Sequence, residues 1–389
     1  MRGRARRWLI ALGLALALAG CAAVITQSSE SRQAADFTFY YSAALLVRDG
    51  DAAAAYDQSA LQAAIKQVAP ESAVDRRLPF NLPLAAVLPL VPLTLLPLEL
   101  AFRAWQLISL GLLVLALLLL ARSYPLGRGS FGLGLLAILA SVPLWSVITE
   151  AQLTPLLLLG GVLVLSAAGR DLPWAAFAGG LLLAVKPHFL PAYLLILLAA
   201  RHRRSLLAAI AGGALMLMSP LAAGGVPVLA AMIRNALSTN GLVPIRLSEA
   251  WIGLVAAFVP GAATQVSLVL YLLALLLLAV VAIRRADTML APFAAIALWV
   301  GMLASPHVLP HDLLLLAIPG WLAIWLYREG RLPSPLIGLL LVDLALLLDS
   351  RGIGFVLGPI VMTAAAAWAF WRFRQRADRL ASQHKAVAA

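Results

Sequence analysis

An acidic residue followed by aromatic side chains stands just after the first apolar run of the chain. Residues 36–44 read Asp-Phe-Thr-Phe-Tyr-Tyr-Ser-Ala-Ala. At a membrane–water boundary, a partly desolvated carboxylate can act as a general base on a hydroxyl group. Asp36 is therefore a candidate base. The alternative is structural, because aspartate is a favoured N-cap of helices and aromatic residues commonly line membrane interfaces.

A lysine lies near the middle of another long apolar run, residues 174–199. Lys186 is followed by Pro187 and His188. A charge at this depth in a membrane is costly and usually serves a function. The proline interrupts the backbone hydrogen bonds of a helix and can direct the lysine into a cavity. A lysine whose ammonium group reaches the membrane surface is the alternative, which the central position disfavours.

Two histidines and an aspartate occur together in residues 305–312, which read Ser-Pro-His-Val-Leu-Pro-His-Asp. The side chains of His307, His311 and Asp312 could bind phosphate, relay a proton or bind a metal. The spacing of the histidines suits a metal pair on one helix, but Pro310 interrupts that helix. We prefer contact with a substrate, and polarity at the start of a helix is the alternative.

Other polar residues are weaker candidates. Gln152 lies near Glu150 between two apolar runs and is expected to face a polar interior. Arg234 and Arg246 could bind a phosphate or lipid headgroups, and Asp343 suggests a buried hydrogen bond. The sequence has no P-loop, no Gly-rich dinucleotide fingerprint and no GxSxG motif, which argues against a nucleotide-driven pump or a soluble nucleotide-sugar enzyme.

The composition indicates an integral membrane protein. Hydrophobic residues make up 63% of the 389 and charged residues 12%, and the mean hydropathy is +0.96. The net charge of +12 comes from basic residues at the ends of apolar runs, as in membrane proteins, so we expect no nucleic-acid partner. A single cysteine excludes an internal disulfide framework and a cysteine-based zinc site.

The apolar runs predict an all-α, polytopic fold with about twelve transmembrane helices. An even number of crossings places both termini on one side, and the bias of Lys and Arg places that side in the cytoplasm. Residues 251–260 are too short to cross and are expected to be interfacial or re-entrant. The predicted helices cover residues 8–25, 82–98, 101–121, 131–148, 153–169, 174–199, 205–223, 262–283, 288–304, 312–327, 334–349 and 353–371.

We expect one transmembrane domain, residues 1–373, followed by a basic cytoplasmic tail, residues 374–389. Two long loops, residues 26–80 and 224–250, face the extracytoplasmic side. The first is expected to hold two amphipathic helices on the membrane surface. The N-terminal run ends at Cys21 and resembles a lipoprotein signal, but an uncleaved first helix is preferred.

These segments together resemble the membrane glycosyltransferases of the GT-C fold. The nearest resemblance is to glycosyltransferase family 87, the polyprenyl-phosphate-mannose-dependent α-mannosyltransferase-like group. The sequence differs from that family where Ala151 replaces a usual glycine and where Phe80-Asn81 replaces an aromatic-Pro-Pro run. The matching features are the loop that opens at Asp36, Gly50, Tyr56-Asp57, the proline-rich residues 79–83, Trp105, and residues 150–154, 184–187 and 305–307.

The resemblance implies an inverting hexosyltransferase in the cell inner membrane. Its donor would be a polyprenyl-phosphate sugar, with mannose as the sugar, and its acceptor a hydroxyl of a lipid or glycan. Asp36 would be the base. No metal is expected, with a divalent ion between Asp36 and phosphate left open. The donor phosphate would meet Lys186, His307, His311 and Arg246, and the acceptor pocket would contain Tyr40, Tyr41, Gln152, His188 and Asp312.

Two other functions fit part of this pattern. A transporter or a flippase of lipid-linked sugars would explain the many helices and Lys186, but not the long loop over residues 26–80. A non-catalytic membrane scaffold, anchored through Cys21, is the second. Membrane lipids are partners in every case.

Overall fold

We describe the fold from a computed structural model of the chain. The structure describes residues 3–70, 78–242, 248–285, 290–332, 357–368 and 371. Within these ranges the regular elements are all helices and no β-strand occurs. The predicted all-α class is therefore confirmed for this part of the chain.

The α-helices are numbered α1 to α17 in chain order, and five 3-10 helices and a further helix, Leu357–Trp368, accompany them. The α-helices are α1 (Gly3–Thr26), α2 (Ser29–Gln33), α3 (Asp36–Arg48), α4 (Gln58–Val68), α5 (Leu98–Ser123), α6 (Gly127–Leu139), α7 (Val142–Glu150), α8 (Thr154–Arg170), α9 (Pro173–Leu183), α10 (Leu190–Ala199), α11 (Arg203–Met218), α12 (Leu221–Gly224), α13 (Val226–Leu242), α14 (Trp251–Phe258), α15 (Ala263–Arg285), α16 (Leu290–Ala304) and α17 (Ala317–Arg328). The 3-10 helices are Ala52–Tyr56, Leu84–Leu95, Pro187–Phe189, Pro260–Ala262 and Pro310–Leu316.

Four helical segments of the described chain are long and apolar enough to cross a membrane. A fifth is added if α6 and α7, which meet at 52°, form one bent span. The predicted helix over residues 334–349, Asp343 and the tail lie outside the described residues. The four segments are Leu98–Ser123, Arg203–Gly224, Pro260–Arg284 and Pro310–Arg328.

The long helices present apolar faces that only a lipid environment would solvate. On α15, exposed large apolar side chains recur every three or four residues, and α5 has a similar face. A water-soluble protein does not expose a continuous apolar surface along a whole helix, whereas lipid solvates such a surface. The chain is therefore a membrane protein, and the exposed residues on α15 include Val266, Val269, Leu273, Leu276 and Val280.

The predicted helices over residues 82–98 and 131–148 are broken in the structure, so those predictions were wrong, whereas the interruption beside Pro187 within residues 174–199 was expected. Residues 82–98 contain the 3-10 helix Leu84–Leu95, because Pro89 and Pro92 have no N–H for an α-helical ladder. The prediction over residues 174–199 divides into α9 and α10, with Pro187 at the break. The prediction over residues 131–148 divides between α6 and α7.

Helix α3 also differs from its prediction. Phe37 is fully buried and meets the ring of Phe102 edge-on, with centroids 5.5 Å apart. The helix packs beneath the Leu84–Leu95 segment and against α4, because its aromatic residues cover more than one face. It is therefore held inside the protein instead of lying on its surface, and its first residue, Asp36, is fixed relative to the transmembrane core.

Helix α9 is held very close to its neighbour α11. A Cβ atom on Gly180 would lie 2.0 Å from the carbonyl oxygen of Ala209, and one on Gly212 would lie 2.0 Å from that of Phe177. Only glycine permits this approach of two backbones. The C-terminal end of α9, which leads to Lys186, is positioned by this contact.

Candidate active site

The turn after α7 places Gln152 at the centre of the protein. Helix α7 ends at Glu150, and Ala151 follows in the left-handed conformation, with φ 47° and ψ 53°. This conformation reverses the chain at a helix C-terminus and favours glycine. Glycine would adopt this turn with least strain, and Ala151 adopts it with its fully buried methyl group.

Gln152 connects the candidate base to Tyr40 on the same helix and to Trp105 on α5. Its side-chain Nε2 donates a hydrogen bond to the carboxylate of Asp36. Its Oε1 accepts from the Tyr40 hydroxyl at 3.1 Å, and its backbone carbonyl accepts from Trp105 Nε1 at 3.2 Å. Asp36 and Tyr40 are four residues apart on α3 and share one helix face. The amide of Gln152 therefore fixes the orientation of the Asp36 carboxylate.

Glu150 contacts the candidate base from the other end of the same turn. Its Oε2 accepts a hydrogen bond from the backbone N–H of Asp36 at 3.3 Å. That N–H is at the first turn of α3, where helical donors have no partner within the helix. Glu150 was not among the predicted site residues. Its position two residues before Gln152 was the only feature of the sequence that could have indicated it.

Lys186 forms a buried ion pair on the opposite side of the site. Its Nζ lies 2.5 Å from Asp312 Oδ1 and 3.2 Å from His311 Nε2. Asp312 also accepts from the backbone N–H of Leu309 at 3.1 Å. Lys186 lies in the break between α9 and α10, and Asp312 in the 3-10 helix before α17. The positive charge of Lys186 is therefore compensated within the protein.

Two further histidines adjoin this pair. The rings of His188 and His307 meet edge-on, with centroids 6.5 Å apart. The backbone carbonyl of His188 accepts from the Tyr271 hydroxyl at 2.7 Å, which holds this part of the break against α15. His307 lies between α16 and the 3-10 helix Pro310–Leu316. Burial lowers the pKa of His307, with Lys186 acting in the same direction and Asp312 opposing it, so the imidazole is neutral near pH 7.

The two halves of the site interact electrostatically. Burial raises the pKa of Asp36 and the negative charge of Asp312 acts in the same direction, while the positive charge of Lys186 and the hydrogen bond from Gln152 oppose it. Charges interact appreciably only over short distances in a protein of mixed polarity. Asp36 is therefore within electrostatic range of Lys186 and Asp312, although these residues are far apart in sequence.

Most of the predicted site residues that the structure describes thus come together, and Tyr41 does not belong to the cluster. The Tyr41 hydroxyl donates to the carbonyl oxygen of Leu96 at 2.8 Å, on the other face of α3 from Tyr40. Arg246 lies outside the described residues. Within the described ranges, no group of three or more His, Cys, Asp or Glu side chains is arranged to hold a metal ion.

An apolar cleft begins beside the ion pair. Its cavity volume is about 90 Å³, and it extends from the α6–α7 bend to α17. Ser141 is one of its few polar lining residues. Leu313 lines one end and directly follows Asp312, so the cleft reaches the polar cluster. Its apolar lining includes Ile138, Pro143, Leu314 and Trp321.

Comparison with known proteins gives one match. The family model described as glycosyltransferase family 87 matches residues 80–310, which is more than half of the chain. The matched range includes Gln152, Lys186 and His307, and Asp36 precedes it. No match was found among curated proteins or among solved structures.

Proposed function

Because the chain belongs to glycosyltransferase family 87, we propose that it transfers a hexose, mannose, from a polyprenyl-phosphate donor to a hydroxyl group. Family membership implies glycosyltransferase activity. The donor, the sugar and the acceptor, a glycolipid or glycan, are our proposals. A lipid phosphate as the leaving group agrees with the absence of a nucleotide-binding motif in the sequence.

Asp36 is the proposed general base, and its surroundings carry the proposal. The Gln152 amide orients the carboxylate, and a raised pKa makes it a better proton acceptor once ionised. Asp36 removes the proton from the acceptor hydroxyl as that oxygen attacks the anomeric carbon. The bond from this carbon to the phosphate oxygen breaks on the opposite face, so the configuration inverts.

The donor phosphate is proposed to bind beside Lys186. Two of the three ammonium N–H groups are directed at Asp312 and His311, and the third remains to donate to a phosphate oxygen. His307, His311 and Arg246 complete the proposed phosphate site. Since Asp312 compensates the charge of Lys186, the lysine acts here mainly as an oriented donor of a charge-assisted hydrogen bond.

The sugar and acceptor are proposed to lie between the two halves of the site. Tyr40, Gln152 and Asp312 border this space, with Tyr41 behind Tyr40. His188 contributes an imidazole whose Nε2 is buried and has no hydrogen-bond partner among the described residues. The apolar cleft beside Leu313 has the lining that an isoprenoid tail requires.

We place this reaction on the extracytoplasmic side of the cell inner membrane. The proposal keeps the GT-C architecture of about twelve crossings, one domain over residues 1–373 and a basic tail over residues 374–389. Both termini are then cytoplasmic. The loops over residues 26–80 and 224–250 face the opposite side, where Asp36 would meet the donor.

The test is transfer by the purified protein in detergent, with radiolabelled polyprenyl-phosphate mannose and a membrane extract as the source of acceptor. We expect a labelled product from the wild type, and from Asp36→Asn a rate lower by about 10²–10⁴-fold, the usual contribution of a general base. Asp51→Asn is the matched control, since Asp51 is an exposed carboxylate of the same loop. Normal transfer by Asp36→Asn would exclude this base. Movement of the donor across liposomes without any transfer would favour the transporter.

A further inference from the structure

Asp36 has a second carboxyl group as its neighbour. Glu150 Oε2 accepts from the backbone N–H of Asp36 at 3.3 Å, and the two carboxyl groups interact electrostatically. Glu150 is partly exposed, whereas the ion pair of Lys186 and Asp312 is buried. Glu150 can therefore affect both the position and the protonation of Asp36, because it accepts from the Asp36 backbone and interacts with the Asp36 charge.

We propose that Asp36 and Glu150 form a coupled carboxyl pair, in which Glu150 holds the backbone of the base and shares its proton. This inference rests on the proposed function of Asp36 as the base. Glu150 is a positioning residue, since nothing requires it to touch the substrate. Two carboxylates that interact electrostatically repel each other when both are ionised, so they lose their protons in two steps that belong to the pair.

The geometry gives each end of the turn a distinct role. Gln152 donates to the Asp36 carboxylate, and Glu150 accepts from the Asp36 backbone N–H. The left-handed conformation of Ala151 between them allows residues 150–152 to contact Asp36 at both points. The Gln152 contact stabilises the ionised base. Repulsion between the two ionised carboxylates, and not the backbone hydrogen bond, opposes double ionisation, so the pair loses its protons in two separate steps.

The proton balance of the reaction follows from this coupling. The acceptor oxygen loses its proton to Asp36 and forms the new bond to the anomeric carbon, while the polyprenyl phosphate leaves with the electrons of the broken bond. Protonation of Asp36 removes its repulsion of Glu150. Glu150 then releases its proton to water, and the remaining proton passes from Asp36 to the Glu150 carboxylate, which restores the ionised base for the next cycle.

The other groups that face the pair are Lys186, Asp312 and Tyr40. Lys186 favours an ionised Asp36, and Asp312 disfavours it. Tyr40 donates its hydroxyl to Gln152 and is neutral throughout the working pH range. A change in the titration of Asp36 or Glu150 must therefore be measured with Lys186 and Asp312 intact.

The first experiment does not require activity. The wild type, Asp36→Asn and Glu30→Gln are treated with dicyclohexylcarbodiimide, which reacts with protonated carboxyl groups, and labelling of Glu150 is measured by mass spectrometry across pH. We expect the midpoint of Glu150 labelling to fall by at least about one pH unit in Asp36→Asn, because the neighbouring charge is gone. Glu30→Gln, which changes an exposed carboxylate of the same loop, should leave it unchanged. An identical midpoint in Asp36→Asn would overturn the coupling.

The second experiment measures transfer against pH. We expect two ionisations on the acid side of kcat/KM in the wild type and one in Glu150→Gln, whose amide oxygen can still accept from Asp36. Glu150→Ala removes this contact as well and should lose about 10–100-fold in kcat, as loss of a supporting contact usually does. Equal profiles for the wild type and Glu150→Gln would overturn the inference while leaving the proposed function intact. Absence of transfer by the wild type would reject the proposed function, and the labelling result would still decide the coupling.

Discussion

The ion pair of Lys186 and Asp312 allows a quantitative prediction about the stability of the site. Their Nζ and Oδ1 atoms are 2.5 Å apart, the Asp312 side chain is fully buried, and Lys186 is 8% exposed. Removal of one member of such a pair leaves an uncompensated buried charge, which costs about 3–5 kcal/mol. We expect Asp312→Asn to lose about this much free energy of unfolding. Lys186→Met should lose less, because Asp312 keeps the hydrogen bond from Leu309.

The double variant separates the pair from its surroundings. In Lys186→Met/Asp312→Asn both charges are gone, so neither is left unpaired. We therefore expect its loss of stability to be smaller than the sum of the single losses by at least about 2 kcal/mol, within the range found for residues in direct contact. The same reasoning predicts no detectable transfer by the double variant, since Lys186 is proposed to donate to the donor phosphate.

Equilibrium unfolding in mixed micelles with a denaturing detergent gives the free energies of the four proteins. The exposed pair of Arg48 and Asp49 provides the control cycle. The coupling energy between Arg48 and Asp49 in this cycle should be about 0.2–1 kcal/mol, as for solvated ion pairs. If the losses of Lys186→Met and Asp312→Asn simply add, the two charges do not depend on each other and the description of the pair is wrong.

Three further predictions concern other parts of the chain. Gly212→Ala places a Cβ atom 2.0 Å from the Phe177 carbonyl oxygen and should cost about 1–3 kcal/mol of unfolding free energy, whereas Gly111→Ala, at an open position of α5, should gain up to about 1 kcal/mol. Ala151→Gly should stay close to wild type in stability, because relief of about 1–2 kcal/mol of left-handed strain is offset by chain entropy and by the lost methyl group; Ala151→Val should destabilise the fold and slow transfer. Because burial raises the pKa of Asp36, the folded protein binds more protons than the unfolded chain between pH 3.8 and that raised pKa. The free energy of unfolding therefore falls as the pH rises through this range. Asp36→Asn should therefore unfold at a higher temperature than wild type at pH 7, and the difference should disappear towards pH 3.8.

The sequence singles out candidate site residues more readily than it predicts the helices that hold them. Asp36, Lys186 and His307 attract attention because charged and imidazole groups are rare within long apolar runs. Their roles, and the expectation that Asp36 faces Lys186, stay predictions. The number and continuity of helices were harder to predict, because hydropathy does not distinguish a straight span from one that prolines divide, as at Pro187 and Pro89.

The partners of these residues could not be predicted from sequence. Lys186 and Asp312 are more than a hundred positions apart, so their pairing depends on how the break between α9 and α10 packs near the 3-10 helix Pro310–Leu316. Sequence reasoning assigned Lys186 to a phosphate, and nothing in the local pattern indicated that an aspartate compensates its charge. Glu150 was missed for the same reason, because its contact with Asp36 exists only once α3 is buried beneath the core.

The location of the site follows from the broken helices. Gln152 comes directly after the turn that ends α7, Lys186 lies between α9 and α10, and Asp312 lies between α16 and α17. Each interruption leaves backbone groups that require polar partners, and lipid cannot supply them. The interruptions therefore place polar side chains in the protein interior, beside an apolar cleft. Transporters use the same device to bind substrates, so this arrangement alone does not distinguish transport from transfer. The feature that favours the proposed transfer is α3, because its first residue, Asp36, is held at two points by the turn after α7. Transfer of a sugar to a hydroxyl, as proposed, requires a base that is fixed in this way.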